Sequence, residues 1–113
     1  MDLSEANLGE VNLAGADLSQ ADLRGADLNH ANLSKATLAG ADLSGANLAA
    51  ADLSAADLRG ANLRYTDLKD ANLAGTDLRG ADLSEARLDW ATLEEALITP
   101  EQLSQASVGR ESL

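Results

Sequence analysis

An apolar residue recurs at every fifth position of this chain: Leu3, Leu8, Leu13 and onward through Leu93, nineteen consecutive leucines without a gap. Leucine is common in proteins, but a run of this length at one phase does not arise by chance. Ile98, Leu103, Val108 and Leu113 hold the same phase, although the surrounding pattern changes there. Two other positions repeat with the leucines. The residue two before each Leu is Ala in fifteen of the nineteen units, with Met1, Val11, Thr66 and Thr76 as exceptions. The residue just before Leu is Asp or Asn in sixteen, with Thr37, Arg87 and Thr92 as exceptions. The unit is therefore Ala-(Asp/Asn)-Leu-x-x.

A five-residue period excludes the common elements. Five residues turn an α-helix by about 500°, so successive leucines would rotate by about 140° and form no stripe. In a flat strand an odd spacing sends successive leucines to opposite faces. The period survives only if the chain bends once in every unit. Local chemistry agrees. Ala and Leu are two apart, so a short extended piece points both inward. The Asp or Asn between them points outward, and its short side chain bonds nearby backbone and favours corners. The x positions hold turn-tolerant pairs such as Ser44-Gly45, Arg59-Gly60 and Ala74-Gly75.

This unit resembles the consensus of the pentapeptide-repeat family, A(D/N)LXX, over residues 1 to about 98. The resemblance implies an all-β fold: a right-handed quadrilateral β-helix, a solenoid in which four units make one coil and each unit forms one side of a square. Members of that family often carry Phe at the central position. This chain has no Phe, which implies a uniform bore. Nineteen units then give slightly under five coils, a rod roughly 23 Å long at the usual strand spacing. Residues 1–98 are expected to form the repeat β-helix, and 99–113 a C-terminal capping helix and tail.

The pattern dissolves after Leu93. Leu97 stands where Asp or Asn belongs, and Thr99-Pro100-Glu101-Gln102 follows. Thr as N-cap, Pro at the first helical position and Gln three residues beyond the cap predict a helix start. A short helix from about Pro100 to Ala106 is expected to fold Leu103 over the last coil, with Val108-Gly109 ending it and Arg110 to Leu113 frayed. No such signal precedes Leu3. An uncovered first coil offers backbone edges for pairing, so the expected oligomeric state is a monomer or an end-to-end homodimer through the N-terminal coil.

Aromatic residues make up only 2% of the chain and the formal charge is −11. A core of Leu and Ala must be narrow to reach native density. The charge disfavours direct binding to nucleic acid, whose phosphates it repels; it serves solubility and is compatible with a basic partner or one that normally binds nucleic acid, and the expected partner is another protein of unspecified identity. No Cys is present, hence no disulfide framework or thiolate metal site. The opening Met-Asp-Leu-Ser-Glu lacks the basic and apolar regions of a signal peptide, and no apolar run approaches membrane-spanning length. The expectation is a cytoplasmic protein with no membrane contact.

Chemistry-bearing motifs are sparse. His30 is the sole His, at an outward x position with no nucleophile at a recognisable spacing. There is no HExxH, Walker loop, EF-hand loop or GxSxG. A solid leucine bore leaves no pocket, so the chain is read as non-enzymatic, without cofactor or metal. Four-unit coiling would stack Asp2, Asp22, Asp42 and Asp82 in one column completed by Asn62, and Asp17, Asp57 and Asp77 in another broken by Thr37. These seven aspartates are the candidate partner-binding residues. Like charges one rung apart repel, so backbone bonds in the turns and nearby Arg24, Arg59, Arg64 and Arg79 are expected to compensate them. Tyr65 and Trp90 are the only aromatics; Trp90, ten residues before the terminal helix, is expected to pack against it. The leading functional expectation is a structural or protein-interaction scaffold. The alternative comes from the family resemblance: some members imitate DNA toward gyrase and topoisomerase IV. Eleven charges over about 23 Å come near the one per ~1.7 Å of duplex DNA.

Overall fold

The computed structural model describes residues 1–108. Each unit places its Asp or Asn position in a parallel bridge with the residue twenty positions on: Asp2 with Asp22, Asn7 with Asp27, Asn12 with Asn32, Asp17 with Thr37, and so on along the chain. Four units therefore close one coil, and the rod is a right-handed quadrilateral β-helix of just under five coils. Side 1 of the square carries residues 2, 22, 42, 62 and 82. Side 2 carries 7, 27, 47, 67 and 87, side 3 carries 12, 32, 52, 72 and 92, and side 4 carries 17, 37, 57, 77 and 97.

Three backbone bonds tie each unit to the coil above. On side 1, the Leu3 N–H donates to the Asp22 carbonyl at 2.7 Å, the Glu5 N–H to the Arg24 carbonyl at 2.8 Å, and the Asp22 N–H to the Met1 carbonyl at 2.9 Å. The corners follow from the two x residues. Every Leu carbonyl from Leu3 to Leu93 accepts the N–H three residues on, as Leu3 does from Ala6 at 3.0 Å. The second x residue has positive φ at all nineteen corners, seven of them glycine. An i→i+3 bond with positive φ only at the third residue is the signature of a type II turn. The other twelve corners hold non-glycine residues such as Glu5, His30, Tyr65 and Trp90 at φ of 57–63°. That conformation costs an L-residue roughly 1–2 kcal/mol, and stacked coils on either side hold it in place.

The interior is leucine on alanine. Every Leu from Leu23 to Leu83 has 0% exposure, so hydrophobic burial is complete in the middle coils. Thr66 and Thr76 replace Ala at inward positions and are also fully buried. Their hydroxyls donate to the carbonyls of Leu63 and Leu53, both at 2.7 Å, which removes the cost of an unpaired buried polar group. At the first coil Leu3, Leu8, Val11 and Leu13 are only partly buried, because among the described residues nothing stacks beneath them.

The other end is closed by helix α1, Pro100–Gln105, one residue shorter than expected because Ala106 is its C-cap. Thr99 and Gln102 form the anticipated capping box: the Gln102 N–H donates to Thr99 Oγ1 at 3.1 Å and Gln102 Oε1 accepts the Thr99 N–H at 2.9 Å. The same Gln102 side chain donates from Nε2 to the carbonyls of Leu78 at 2.6 Å and Ala81 at 3.1 Å. One glutamine thus starts the helix and fastens it to the rod, while Leu103 packs on the last leucines. The repeat phase then resumes. Ser107 bridges Arg87, donating to the Ala86 carbonyl at 2.7 Å and accepting from the Leu88 N–H at 2.8 Å. The helix stands in for one unit of a sixth coil, and the next unit rejoins the ladder on side 2. The expected fraying of Arg110 to Leu113 lies outside the described residues. With its cap the molecule measures 34 × 22 × 20 Å, longer than the roughly 23 Å expected for the coils alone because helix and side chains add to both ends.

Candidate interaction surface

The outward Asp and Asn residues are engaged with their own turns. All sixteen accept the N–H two residues on through Oδ1, at 3.0–3.3 Å. Each corner is therefore an Asx-turn laid beside a backbone turn. Six serines in the first x position follow an Asp or Asn two residues back, and the Oγ of four of them, Ser4, Ser34, Ser54 and Ser84, adds a second bond to it at 2.6–2.7 Å.

The two acidic columns form as the spacing implies. Asp2, Asp22, Asp42, Asn62 and Asp82 pair rung to rung on side 1, and Asp17, Thr37, Asp57 and Asp77 on side 4. They are not bare ladders of charge. Arg24 grips Asp22 in a two-pronged contact at 2.7–2.8 Å. Arg59 grips Asp57 and lies 3.9 Å from Asp77, which Arg79 also holds at 2.6 Å. Arg64 approaches Asp82 at 3.9 Å. The anticipated compensation by turns and arginines is thus the observed geometry. Bonding from Arg24 holds the Asp22 carboxyl down at about 2, and Arg79 does the same for Asp77. Hydrogen bonds from Ser4 and Ser84 lower Asp2 and Asp82.

Charge is distributed unevenly along the rod. The first coil, residues 1–20, has four carboxylates (Asp2, Glu5, Glu10 and Asp17) and no Lys or Arg. The three middle coils, residues 21–80, have eight carboxylates against six cations, a net −2. Residues 81–108 have six carboxylates against Arg87, a net −5. The acidity sits at the two ends.

Trp90 corrects an expectation. It is 58% exposed rather than buried under the terminal helix. Helix α1 is fastened by Gln102 to Leu78 and Ala81, at the corner between sides 4 and 1; Trp90 occupies the corner between sides 2 and 3, diagonally across. Ten residues of sequence separation carry the chain half a coil round the square. Tyr65 is 62% exposed, with the Arg64 guanidinium 5.9 Å from its ring centre. His30 is exposed at its corner.

A cavity of about 460 Å³ lies at the C-terminal end and is lined by Leu88, Ala91, Leu93, Pro100, Leu103, Ser104 and Val108. Its walls carry no ionisable group. Among the described residues no three His, Asp or Glu side chains cluster in a way that would hold a metal ion.

The pentapeptide-repeat family model matches residues 2–40, 26–64 and 61–99, in eight copies of the motif. The chain belongs to the pentapeptide-repeat family. Among solved structures, this pentapeptide-repeat protein is similar to alr5209, a pentapeptide repeat protein from Nostoc PCC 7120. Identity is 36%, the match covers 91% of this chain and 84% of that one, and the TM-score is 0.82. It is also similar to AT2G44920, a pentapeptide repeat protein of the Arabidopsis thaliana thylakoid lumen, at 30% identity over 89% and 70% of the two chains with a TM-score of 0.73. A third, Rfr23 from the cyanobacterium Cyanothece 51142, is 31% identical over 83% and 60% of the chains with a TM-score of 0.50. No curated protein matches the chain.

Proposed function

We propose that this pentapeptide-repeat protein is a non-enzymatic interaction scaffold whose acidic surface binds a basic protein partner. The observation that carries the reading is the division of labour within the unit. The inward Ala and Leu positions fill the bore completely in the middle coils, so every variable side chain faces solvent on a backbone that the ladder holds rigid. A net charge of −11 on that surface favours cationic partners and speeds their encounter at low salt. The cavity at the C-terminal end is lined by apolar side chains apart from Ser104, with no acid or base in its lining to activate that hydroxyl.

Imitation of duplex DNA is less well supported. Spread over the 34 Å long axis, eleven charges fall roughly one per 3 Å, about half the density of DNA at ~1.7 Å per charge. The middle coils, where a mimic needs continuous charge, are nearly neutral.

Affinity capture on the immobilised protein from its source cell, eluted with a salt gradient and identified by mass spectrometry, tests the reading. Basic proteins released by moderate salt support it; captures that are acidic or indifferent to salt overturn it. A gyrase supercoiling assay at micromolar protein addresses the mimic, which requires inhibition or protection to stand.

A further inference from the structure

The two aromatic residues of the chain border the same side of the rod. Tyr65 stands at the corner where side 2 begins in the fourth coil, and Trp90 at the corner where side 2 ends in the fifth. They are 62% and 58% exposed. Each has an exposed carboxylate one rung away at its own corner. The Tyr65 N–H donates to the Ser84 carbonyl at 3.1 Å, which seats Glu85 above Tyr65. The Asp70 N–H donates to the Asp89 carbonyl at 3.0 Å, which seats Trp90 above Asp70. These four residues frame side 2, with the rings on one diagonal, the carboxylates on the other and the Asp67–Arg87 bridge between them.

The fold does not require either ring. Tyr65 and Trp90 sit at φ of 60° and 63°, where glycine is the least strained residue, and seven other corners use glycine. The cations nearby are few and mostly engaged. Arg87 lies 3.5 Å from Asp89, and Arg64, whose guanidinium is 5.9 Å from the Tyr65 ring centre, lies 3.9 Å from Asp82. Asp67, Asp70 and Glu85 have no ion-pair partner among the described residues. Against these three carboxylates stands Lys69 alone.

We infer that this face of side 2 is a docking site for an extended segment of a partner protein that carries two basic residues, one for each pair of ring and carboxylate. A cationic side chain gains from the face of an aromatic ring and from a neighbouring carboxylate together. Arg64 beside Tyr65 shows that this ring is placed to take a guanidinium. In an extended chain, side chains four residues apart lie on one face and stand roughly 13 Å apart, within the 20–22 Å cross-section of the rod. Tyr and Trp are also the residues on which binding energy concentrates in protein interfaces. A second copy of the chain brings the same three carboxylates and one lysine, so it does not satisfy the face.

The inference rests on the scaffold reading and gives its basic partner a place on the rod. Trp90 is the only tryptophan, so its emission reports occupancy. The probe is a peptide with the core Arg-Ala-Ser-Ala-Arg, titrated into the full chain and followed by tryptophan fluorescence and amide NMR shifts. Expected are a saturable change in emission and shifts clustered on residues 65–70 and 85–90. Tyr65→Gly is expected to bind about fivefold more weakly; glycine suits the positive φ of that corner, so unfolding does not account for the loss. Asp70→Asn/Glu85→Gln is expected to bind about tenfold more weakly. Glu10→Gln/Glu95→Gln makes the same change in net charge at corners outside the frame and is expected to stay within about twofold of the parent. Equal losses in the two double variants, full affinity in Tyr65→Gly, or no saturable change at millimolar peptide overturns the site. Lysate capture separates this failure from failure of the scaffold reading: basic proteins retained equally by the parent and by Tyr65→Gly/Trp90→Gly sink the site and leave the scaffold standing.

Discussion

Leu8 and Leu48 occupy the same column of side 2, two coils apart, in nearly identical sequence contexts: Ala6-Asn7-Leu8 and Ala46-Asn47-Leu48. Leu48 has 0% exposure, whereas Leu8 is only partly buried. Nothing in the pentapeptide itself distinguishes them. The difference is that Leu48 has a coil on both sides and Leu8 has one. In a solenoid a residue's burial belongs to its neighbours as much as to its own type, and stability accumulates coil against coil.

Substitutions in the third coil and in the first put that comparison at risk, beginning with the harshest. Leu53→Asp places an unpaired carboxylate in a filled bore and is expected to abolish the cooperative thermal transition. Ser54→Asp, one residue away and facing outward, is expected to keep the native circular dichroism spectrum and lose only a few degrees of melting temperature; equal melting behaviour for the two variants refutes the fold. A milder pair sharpens the contrast. Leu48→Ala should cost about 3 kcal/mol and Leu8→Ala about 1 kcal/mol, because a site open to solvent leaves no enclosed cavity. Urea unfolding of both variants checks this, and matched losses would mean that the first coil is as well covered as the third.

The closed end gives a third test. Gln102→Ala removes two donors to the Leu78 and Ala81 carbonyls and one acceptor for the Thr99 N–H. A loss of about 1–2 kcal/mol is expected. Hydrogen exchange should quicken at Glu85 and Leu88, whose N–H groups donate to the carbonyls of Gln105 and Ser107; unchanged exchange there would show that the cap holds without its glutamine.

The smallest effect concerns acid. Arginine holds Asp22 and Asp77 at about 2, below the ordinary value of 3.8. A carboxyl with a depressed folded-state pKa contributes stability above its unfolded value and loses it as pH falls through the folded one. Melting temperature should therefore stay level down to about pH 4 and decline toward pH 2. Asp77→Asn should shallow that decline, and an unaltered acid limb in the variant would exclude the Arg79 contact as a source of it.

The fold was largely legible because its signal is local and repeated. Nineteen leucines at one phase, with Asp or Asn before each, imply a bend per unit and an outward residue that bonds its own turn, and all sixteen Asx bonds are present. The helix start at Thr99-Pro100 was legible for the same reason, since capping chemistry spans only four residues. Trp90 was misjudged because proximity in sequence says little about which corner of a square a residue occupies. The second role of Gln102 and the return of Ser107 to the ladder gave no local signal. Both depend on carbonyls more than twenty positions away in the first case and on the Ala86–Leu88 edge in the second. The charge segregation was readable from the start, since the first twenty residues contain no Lys or Arg, but its meaning required knowing that those residues form one coil.

The sequence by itself determined the period, the inward and outward positions, the turn chemistry and the net charge, since each depends on neighbours within five residues or on simple addition. Tertiary structure decided which aspartates stack, which arginines neutralise them, where the helix lands, and that the ladder bonds of all coils run in one direction. Those properties depend on pairing at a separation of twenty residues and on the common direction of the ladder bonds, and neither is expressed until the coils close.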